Sequence, residues 1–231
     1  MFNRVWFKKL AKEQIHPNLV TLGLMMLIFM GIAMGAAIVF GIGSVMSIAM
    51  DRGLETDGVI FFISYIIMFF ALFAIESPFM LSLYRAYLAL TRGEKIIVSD
   101  IFWGFKTTER FWGAIKLMLL MGLYVMLWSL LLIVPGIIRG IDYSQAFFIL
   151  SEDPSKGARQ CIRESIFLVR GHRGDYFISG LSFILWIFVI YIPVIGYFAY
   201  FGYVYPYIMS TFANIYRFLV DEKYGEERYL N

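Results

Sequence analysis

A carboxylate set in a run of apolar residues is the first feature of this sequence that could do chemistry. Glu76 follows seventeen mostly apolar residues that start at Val59. On a helix rising about 1.5 Å per residue it would lie about 25 Å along. That is the inner part of a bilayer, where an ionisable side chain marks a proton, cation or ligand site by default. The competing reading is a helix-end carboxylate near the headgroups, paired with Arg85 or Lys116. Pro78 lacks a backbone N–H, so it frees a carbonyl and adds polarity at the same level. Arg139 and Asp142 form a second polar group. They stand three apart, which puts them on one helix face. Tyr143, Ser144 and Gln145 continue it and could hydrogen-bond across helices. These residues could line a binding site where a broken hairpin opens. More simply, they could be a self-satisfied ion pair, with Arg139 snorkelling to the outer interface.

A third pattern is basic. Asp153 can cap a helix and Pro154 suits its first turn, which predicts a helix over 154–170. Ala158, Ile162, Ile166 and Val169 would share one face, with Lys156, Arg159, Arg163 and Arg170 opposite. Such a helix lies on an anionic membrane surface. A basic loop also fixes orientation in any membrane protein, and the sequence leaves the two roles open. Gly31 and Gly35, beside Ala33 and Ala37, form a small-residue face that predicts close helix packing, within the chain rather than between copies.

No phosphate-binding glycine loop, nucleophile elbow or metal-ligand spacing is present, so the reading is non-enzymatic and without a cofactor. His16, His172 and the single cysteine, Cys161, are far apart, which gives neither a zinc pattern nor a disulfide framework. Basic residues are dispersed between apolar segments, so nucleic acid is not an expected partner.

The elements that must position these groups are membrane helices. The chain has 231 residues, 60% apolar and 16% charged, against about 25% charged in a soluble domain. The apolar residues come in runs of about 20 or more, the length that a spanning helix needs. The expected fold class is all-α, a bundle of about six transmembrane segments arranged as three hairpins. The segments are 18–50, 59–83, 113–134, 137–150, 176–192 and 197–220. Glu76-Ser77-Pro78 interrupts the second, Pro135 ends the third, Pro193 ends the fifth, and Pro206 lies inside the sixth. The whole chain reads as one transmembrane domain. Residues 1–17 form an interfacial helix and 18–90 the first hairpin. Residues 91–151 hold a link and the second hairpin, 152–220 an amphipathic helix and the third hairpin, and 221–231 a cytoplasmic tail. Asp51, Arg52, Glu55 and Asp57 make a polar turn in the first hairpin. The first run is too long for a signal-peptide core and reads as a retained helix. The chain is too short for a separate catalytic domain beside the membrane region.

Lys and Arg favour cytoplasmic loops. With both termini inside and segment 137–150 returning the chain, eighteen of the twenty Lys and Arg fall on the cytoplasmic side, Arg52 and Arg139 excepted. The charge pattern does not say whether that segment crosses fully or only dips in and comes back. Leu127-Trp128 before Pro135 and Leu185-Trp186 before Pro193 repeat with one spacing, which suggests hairpins of the same sense.

The run LWSLLLIVPGIIRGIDYSQAFFILSEDP carries Trp128, Pro135, Gly136, Arg139, Tyr143, Ser144, Ile149 and Pro154. With Ser165, Gly171, Leu181 to Trp186, Pro206, Tyr207 and Tyr216 it resembles the bacterial integral-membrane family known as domain of unknown function 975. LTRGEKIIVSDIFWGF upstream resembles that family's cytoplasmic link, so the resemblance runs over about 90–220. His172-Arg173 departs from it, where an aromatic and a basic residue are expected. The resemblance implies a multi-pass protein of the bacterial plasma (inner) membrane. It also implies kinship with the membrane domain of some glycerophosphodiester phosphodiesterases, without their catalytic domain. It implies no activity.

The expected function is therefore a non-enzymatic membrane module that binds anionic lipid headgroups, a second copy of itself or another membrane protein. The alternative is a small oligomeric transporter or channel for an ion, lipid or small solute. A lipid-acting enzyme is the least favoured class.

Overall fold

The computed structural model describes residues 2–50, 57–192 and 195–225. Among them every element is helical. They are α1 (Arg4–Ile15), α2 (Leu19–Met50), α3 (Asp57–Thr91), α4 (Thr108–Leu131), α5 (Ile133–Tyr143), α6 (Ala146–Glu152), α7 (Ala158–Val169), α8 (Arg173–Leu181), α9 (Ile195–Ala199) and α10 (Tyr205–Tyr224). Irregular helices lie between some of them: 3-10 helices at Val98–Phe105 and Ile184–Tyr191, and a π-helix at Tyr200–Val204. Five helical runs are long and apolar enough to cross a membrane, namely Arg4–Gly43, Ile63–Thr91, Thr108–Leu131, Ile133–Glu152 and Arg173–Tyr191. The protein is an all-α bundle of the membrane kind.

The expected sixth span, 197–220, is not among the five. It is helical, but Tyr197, Tyr200, Tyr203, Tyr205 and Tyr207, with Ser210, Thr211 and Asn214, make it too polar. Its place in the bundle explains why it can be. α10 has an enclosed side: Tyr207, Ala213, Ile215, Tyr216, Leu219 and Val220 are buried, and Ser210, Thr211 and Asn214 find partners inside. α2 is the opposite case. Val20, Met34 and Val39 are 77%, 59% and 65% exposed, an apolar exterior suited to lipid.

Helix α1 also differs from expectation. Asn3 caps it by accepting from the Trp6 N–H at 3.1 Å, but the helix does not merely rest on a surface. Phe7, Ala11 and Ile15 are buried. Gln14 and Asn214 exchange amide hydrogen bonds of 3.2 and 2.7 Å. Lys8 lies 4.1 Å above the Phe183 ring and Lys12 5.4 Å above the Tyr207 ring. The first helix is thus packed against the last.

Pro78 does not interrupt α3, which continues to Thr91. The missing N–H would strand the carbonyl of Ala74, four residues back. The Ser77 hydroxyl donates to that carbonyl at 3.2 Å. One turn on, Ser82 Oγ donates to the Pro78 carbonyl at 2.8 Å and accepts from the Gly104 N–H at 2.7 Å. This clamps 98–105, the polar and aromatic link, against α3. A Cβ on Gly104 would stand 2.2 Å from the Pro78 carbonyl oxygen, so only glycine permits the approach. Phe79 and Phe105 close the contact at 4.6 Å between ring centres.

Pro135 does not end the outgoing helix. α4 stops at Leu131, and Pro135 sits in the first turn of α5, where its missing N–H costs nothing. Gly136 faces Ser129 across the turn, where a Cβ would stand 2.2 Å from Ser129 Oγ. The chain then returns along α5 and α6 until Pro154–Ala158 lie beside Thr108–Lys116. The return therefore runs the length of α4. Segment 176–192 is split, α-helical to Leu181 and 3-10 from Ile184. Pro206 opens α10, directly after the π-helix, whose end is marked by a bond from the Tyr205 N–H to the Tyr200 carbonyl. That five-residue step is a local rearrangement of the kind a nearby proline demands. Pro193, most of the polar turn 51–57 and the last residues of the tail lie outside the described residues. The glycine face of α2 is not packed as expected: a Cβ on Gly31 or Gly35 meets nothing within 4 Å.

Replacing Gly104 by Ala should cost about 1–3 kcal/mol, the usual penalty for overpacking. Gly157→Ala, where a Cβ meets nothing within 4 Å, serves as the control. Thermal unfolding in detergent reads the difference, and equal melting temperatures for the two variants would overturn the clamp.

Candidate functional site

The polar centre of the bundle forms where α5 breaks before α6. Asp142 is wholly buried, so its charge requires partners. Arg139 Nη1 donates to Oδ2 at 3.2 Å. Arg173 donates from Nε to Oδ1 at 2.6 Å and from Nη2 to Oδ2 at 3.0 Å, the two-pronged geometry that matches a guanidinium to a carboxylate. The expected pair Arg139–Asp142 is present, and Arg173, 31 residues away, completes it. The expected level of Arg139 is corrected. The sequence reading sets Arg139 at the outer interface and Arg173 in a cytoplasmic loop, yet one carboxylate holds both, so they lie at one level of the bundle. Arg139 also stacks 4.6 Å from the Trp128 ring, and the Tyr143 hydroxyl reaches the Trp128 side chain.

Ser165 of α7 binds this centre from the other side. Its hydroxyl donates to the Asp142 carbonyl at 2.6 Å and accepts from the Gln145 N–H at 3.1 Å. It thereby satisfies backbone groups that the break between α5 and α6 would otherwise strand. Gln145 Nε2 donates to Ser144 Oγ at 2.8 Å, and the Tyr176 hydroxyl reaches both side chains. Sequence reasoning named Ser144 and Gln145 as polar but missed Arg173, Ser165 and Tyr176 as their partners. The unmatched second guanidinium-accepting edge of a buried aspartate was the available signal, and it names no residue.

Glu76 is not part of this centre. It is half-buried on α3, and no hydrogen bond or ion pair reaches it among the described residues. Its expected pairing with Arg85 or Lys116 does not form. Arg85 turns to Glu94 at 3.6 Å and lies 5.8 Å from the Trp103 ring, while Lys116 lines a cleft beside 154–158.

The basic helix begins later than expected. Asp153 does not cap it; its Oδ1 accepts from the Ser155 N–H at 3.1 Å and hydroxyl at 2.6 Å, a local turn that leaves Pro154 outside. α7 starts at Ala158 after Gly157. Cys161, Ile162, Ser165, Leu168 and Val169 form its buried side. Arg159 and Arg163 are exposed on the other, and Arg170, also exposed, follows as the extended residue that ends the helix. Lys156 precedes the helix and is held by Glu164 at 2.7 Å, so the expected four-residue face is three arginines and a tethered lysine. Cys161 is buried, and desolvation, with Glu164 close by, pushes its thiol up to about 12.

Residues 130–223 match the profile of the family described as Protein of unknown function (DUF975). The match takes in less than half of the chain but all of the Asp142 centre and α7. It does not extend over the upstream link at 91–129 that the resemblance also included. No curated protein and no solved structure matches the chain.

Removing the Asp142 charge tests the centre. Asp142→Asn leaves two guanidinium groups facing an amide. Breaking a fully buried pair costs about 3–5 kcal/mol; side-chain exposures of 33% and 43% at Arg139 and Arg173 should reduce this to about 2–3 kcal/mol. Arg139→Gln, which leaves the bidentate pair intact, should cost less than Arg173→Gln, and the reverse order of melting temperatures would overturn the assignment. Cys161 provides a pH test. Its folded value exceeds the ordinary one near 9, so the folded state keeps its proton while the unfolded state loses it. Stability should therefore fall as pH rises between about 9 and 12, by up to about 1.4 kcal/mol per pH unit, and Cys161→Ser should flatten that slope. Maleimide at neutral pH should label Cys161 only after unfolding.

Proposed function

We propose that the chain is a non-enzymatic module of a bacterial plasma membrane, with both termini cytoplasmic, that holds anionic lipid headgroups or a membrane partner against its basic helix α7. The observation that carries this reading is the division of α7. One side is buried and tied to the Asp142 centre through Ser165. The other presents Arg159, Arg163 and Arg170, with no ionic partner among the described residues. Charges that served only to stabilise the fold would be paired within it. Exposed guanidinium groups beside apolar spans suit lipid phosphates, to which arginine bonds in two-pronged fashion. Phe167 is 44% exposed on the same helix, which adds an apolar contact at the headgroup boundary. The kinship with the membrane domain of glycerophosphodiester phosphodiesterases, implied by the resemblance, accords with a role in handling phosphate headgroups without catalysis. A second copy of the chain is the other partner this reading admits, and the open glycine face of α2 is where it would pack.

One observation favours transport as a second reading. Glu76 is half-buried in a membrane helix without an ionic partner among the described residues, and such a carboxylate suits a cation or proton.

The two readings separate by experiment. Replacing Arg159, Arg163 and Arg170 together by Gln should remove most of the anionic lipid that copurifies with the wild type, at about fivefold per arginine. Unchanged retention would reduce α7 to a topology signal. Proton or cation flux in liposomes that appears with Glu76 and vanishes in Glu76→Gln, at equal melting temperature, would overturn the module reading. Impermeant labelling from outside of a cysteine placed at Asn3 or Lys156 would overturn the orientation.

A further inference from the structure

A cleft of about 390 Å³ opens where the start of α4 passes the turn before α7. Lys116, Trp112 and Glu109 line it from α4, and Ser155, Lys156 and Gly157 from the turn. We propose that this cleft is a specific seat for a phosphate ester, and that its ligand is the headgroup of a membrane phospholipid. The inference rests on the lipid reading above and assigns it a defined pocket, distinct from the arginine face of α7.

Three features carry it. The first is charge. Lys116 is exposed and has no partner among the described residues, while Lys156 is fixed by its 2.7 Å bond to Glu164. The bridge holds the Lys156 ammonium in place at the cleft, so less freedom is lost when an anion binds. Glu164 offsets the charge of Lys156 and Glu109 is the carboxylate of the lining, so Lys116 is the cation left to meet an anion. One cation left free suits a singly charged phosphodiester better than a more highly charged anion. The second is size. A cleft of about 390 Å³ falls within the ~300–1,000 Å³ of small-molecule sites and exceeds what a bare phosphate fills, which leaves room for a glycerol or similar ester group. The third is position. Trp112, in the lining, is 51% exposed, and α4 presents an apolar surface beyond, with Leu119 and Leu123 40% and 48% exposed. An amphipathic ring at the start of a spanning helix belongs at the headgroup level. A lipid phosphate would meet Lys116 and Lys156 while its acyl chains ran down the apolar surface of α4. Ser155 adds a hydroxyl at the same rim.

The experiment compares wild type with Lys116→Gln, Lys116→Glu and Trp112→Phe in detergent, by native mass spectrometry during titration with phosphatidylglycerol, phosphatidylcholine or soluble glycerol 1-phosphate. The triple arginine variant of α7 is run beside them. The wild type should carry one tight phosphatidylglycerol adduct in addition to the looser anionic lipid held by α7, and the triple arginine variant should keep that one tight adduct. Its affinity should fall about fivefold in Lys116→Gln and further in Lys116→Glu, with melting temperatures of the lipid-free forms unchanged because Lys116 is exposed. Trp112→Phe should weaken it less than Lys116→Glu. An adduct indifferent to Lys116 overturns the cleft. Loss of the adduct in the triple arginine variant, with Lys116→Gln unaffected, places the lipid on the α7 face and also overturns it. Binding of glycerol 1-phosphate as tight as that of the lipid overturns the lipid assignment and gives the site to a free phosphate ester. Loss of binding in Lys116→Gln and not in the arginine variant supports the cleft even if the α7 reading fails.

Discussion

A carboxylate with no contact with solvent must be neutral or paired, and Asp142 is paired twice over. Arg139 reaches it from the same helix and Arg173 from the start of α8. Ser165 ties the backbone at the same residue to α7. Three separate elements are therefore fixed in position by one residue at a helix break. A break inside an apolar bundle is tolerated only where the freed backbone groups are re-satisfied by protein, and here Ser165 does so at Asp142 and Gln145 and Ser144 at the Ile141 carbonyl. The pairing gives specificity more than raw stability, because desolvating the charges offsets much of their attraction. It defines which helix meets which.

The same logic recurs at the other irregular points. Pro78 frees a carbonyl, and Ser77 takes it up; the next hydroxyl, Ser82, then joins α3 to Gly104. Gln14 and Asn214 join the first helix to the last by a reciprocal amide pair. Glu152 receives both Arg92 and the Tyr216 hydroxyl, the latter at 2.5 Å, and so fastens α6 between α3 and α10. In each case a short polar contact supplies the direction that apolar packing between membrane helices does not provide. The apolar exterior, from Val20 and Met34 to Leu130 and Leu185, can then face lipid without encoding any pairing.

What remains beyond these internal contacts is a small set of charged groups turned outward. Arg159, Arg163 and Arg170 stand on α7, and Lys116 stands in the cleft beside it. Their neighbours in the fold are satisfied elsewhere. Glu164 is occupied by Lys156 and by Gln160, at 2.7 and 3.2 Å, so it does not neutralise the arginines. The interior is tied together by side-chain pairs, while these basic groups are left exposed at the surface. Glu76 is the exception, an ionisable group in a spanning helix that the fold leaves without an ionic partner among the described residues.

The sequence alone determined the material of this protein. Runs of about 20 apolar residues with few charges admit only helices in a bilayer, and the all-α class and the existence of the spanning segments follow. The pair Arg139–Asp142 was legible because residues three apart share a helix face whatever the fold. The split of α7 into buried and exposed sides was legible for the same reason, although its start was misplaced, because Asp153 and Pro154 make a turn as readily as a cap. The pattern around Pro135 was legible as a turn, but not that the proline opens the return helix. Tertiary structure decided the rest. Arg173 on Asp142, Ser82 on Gly104 and Asn214 on Gln14 are separated by 31, 22 and 200 residues, and no local period records such pairings. The sixth segment reads as one more span by its place in the chain, yet Tyr207, Tyr216 and Asn214 stand in the interior. Apolar periodicity reports contact with lipid or core, while polar groups inside a membrane bundle find their partners only once the helices have been brought together.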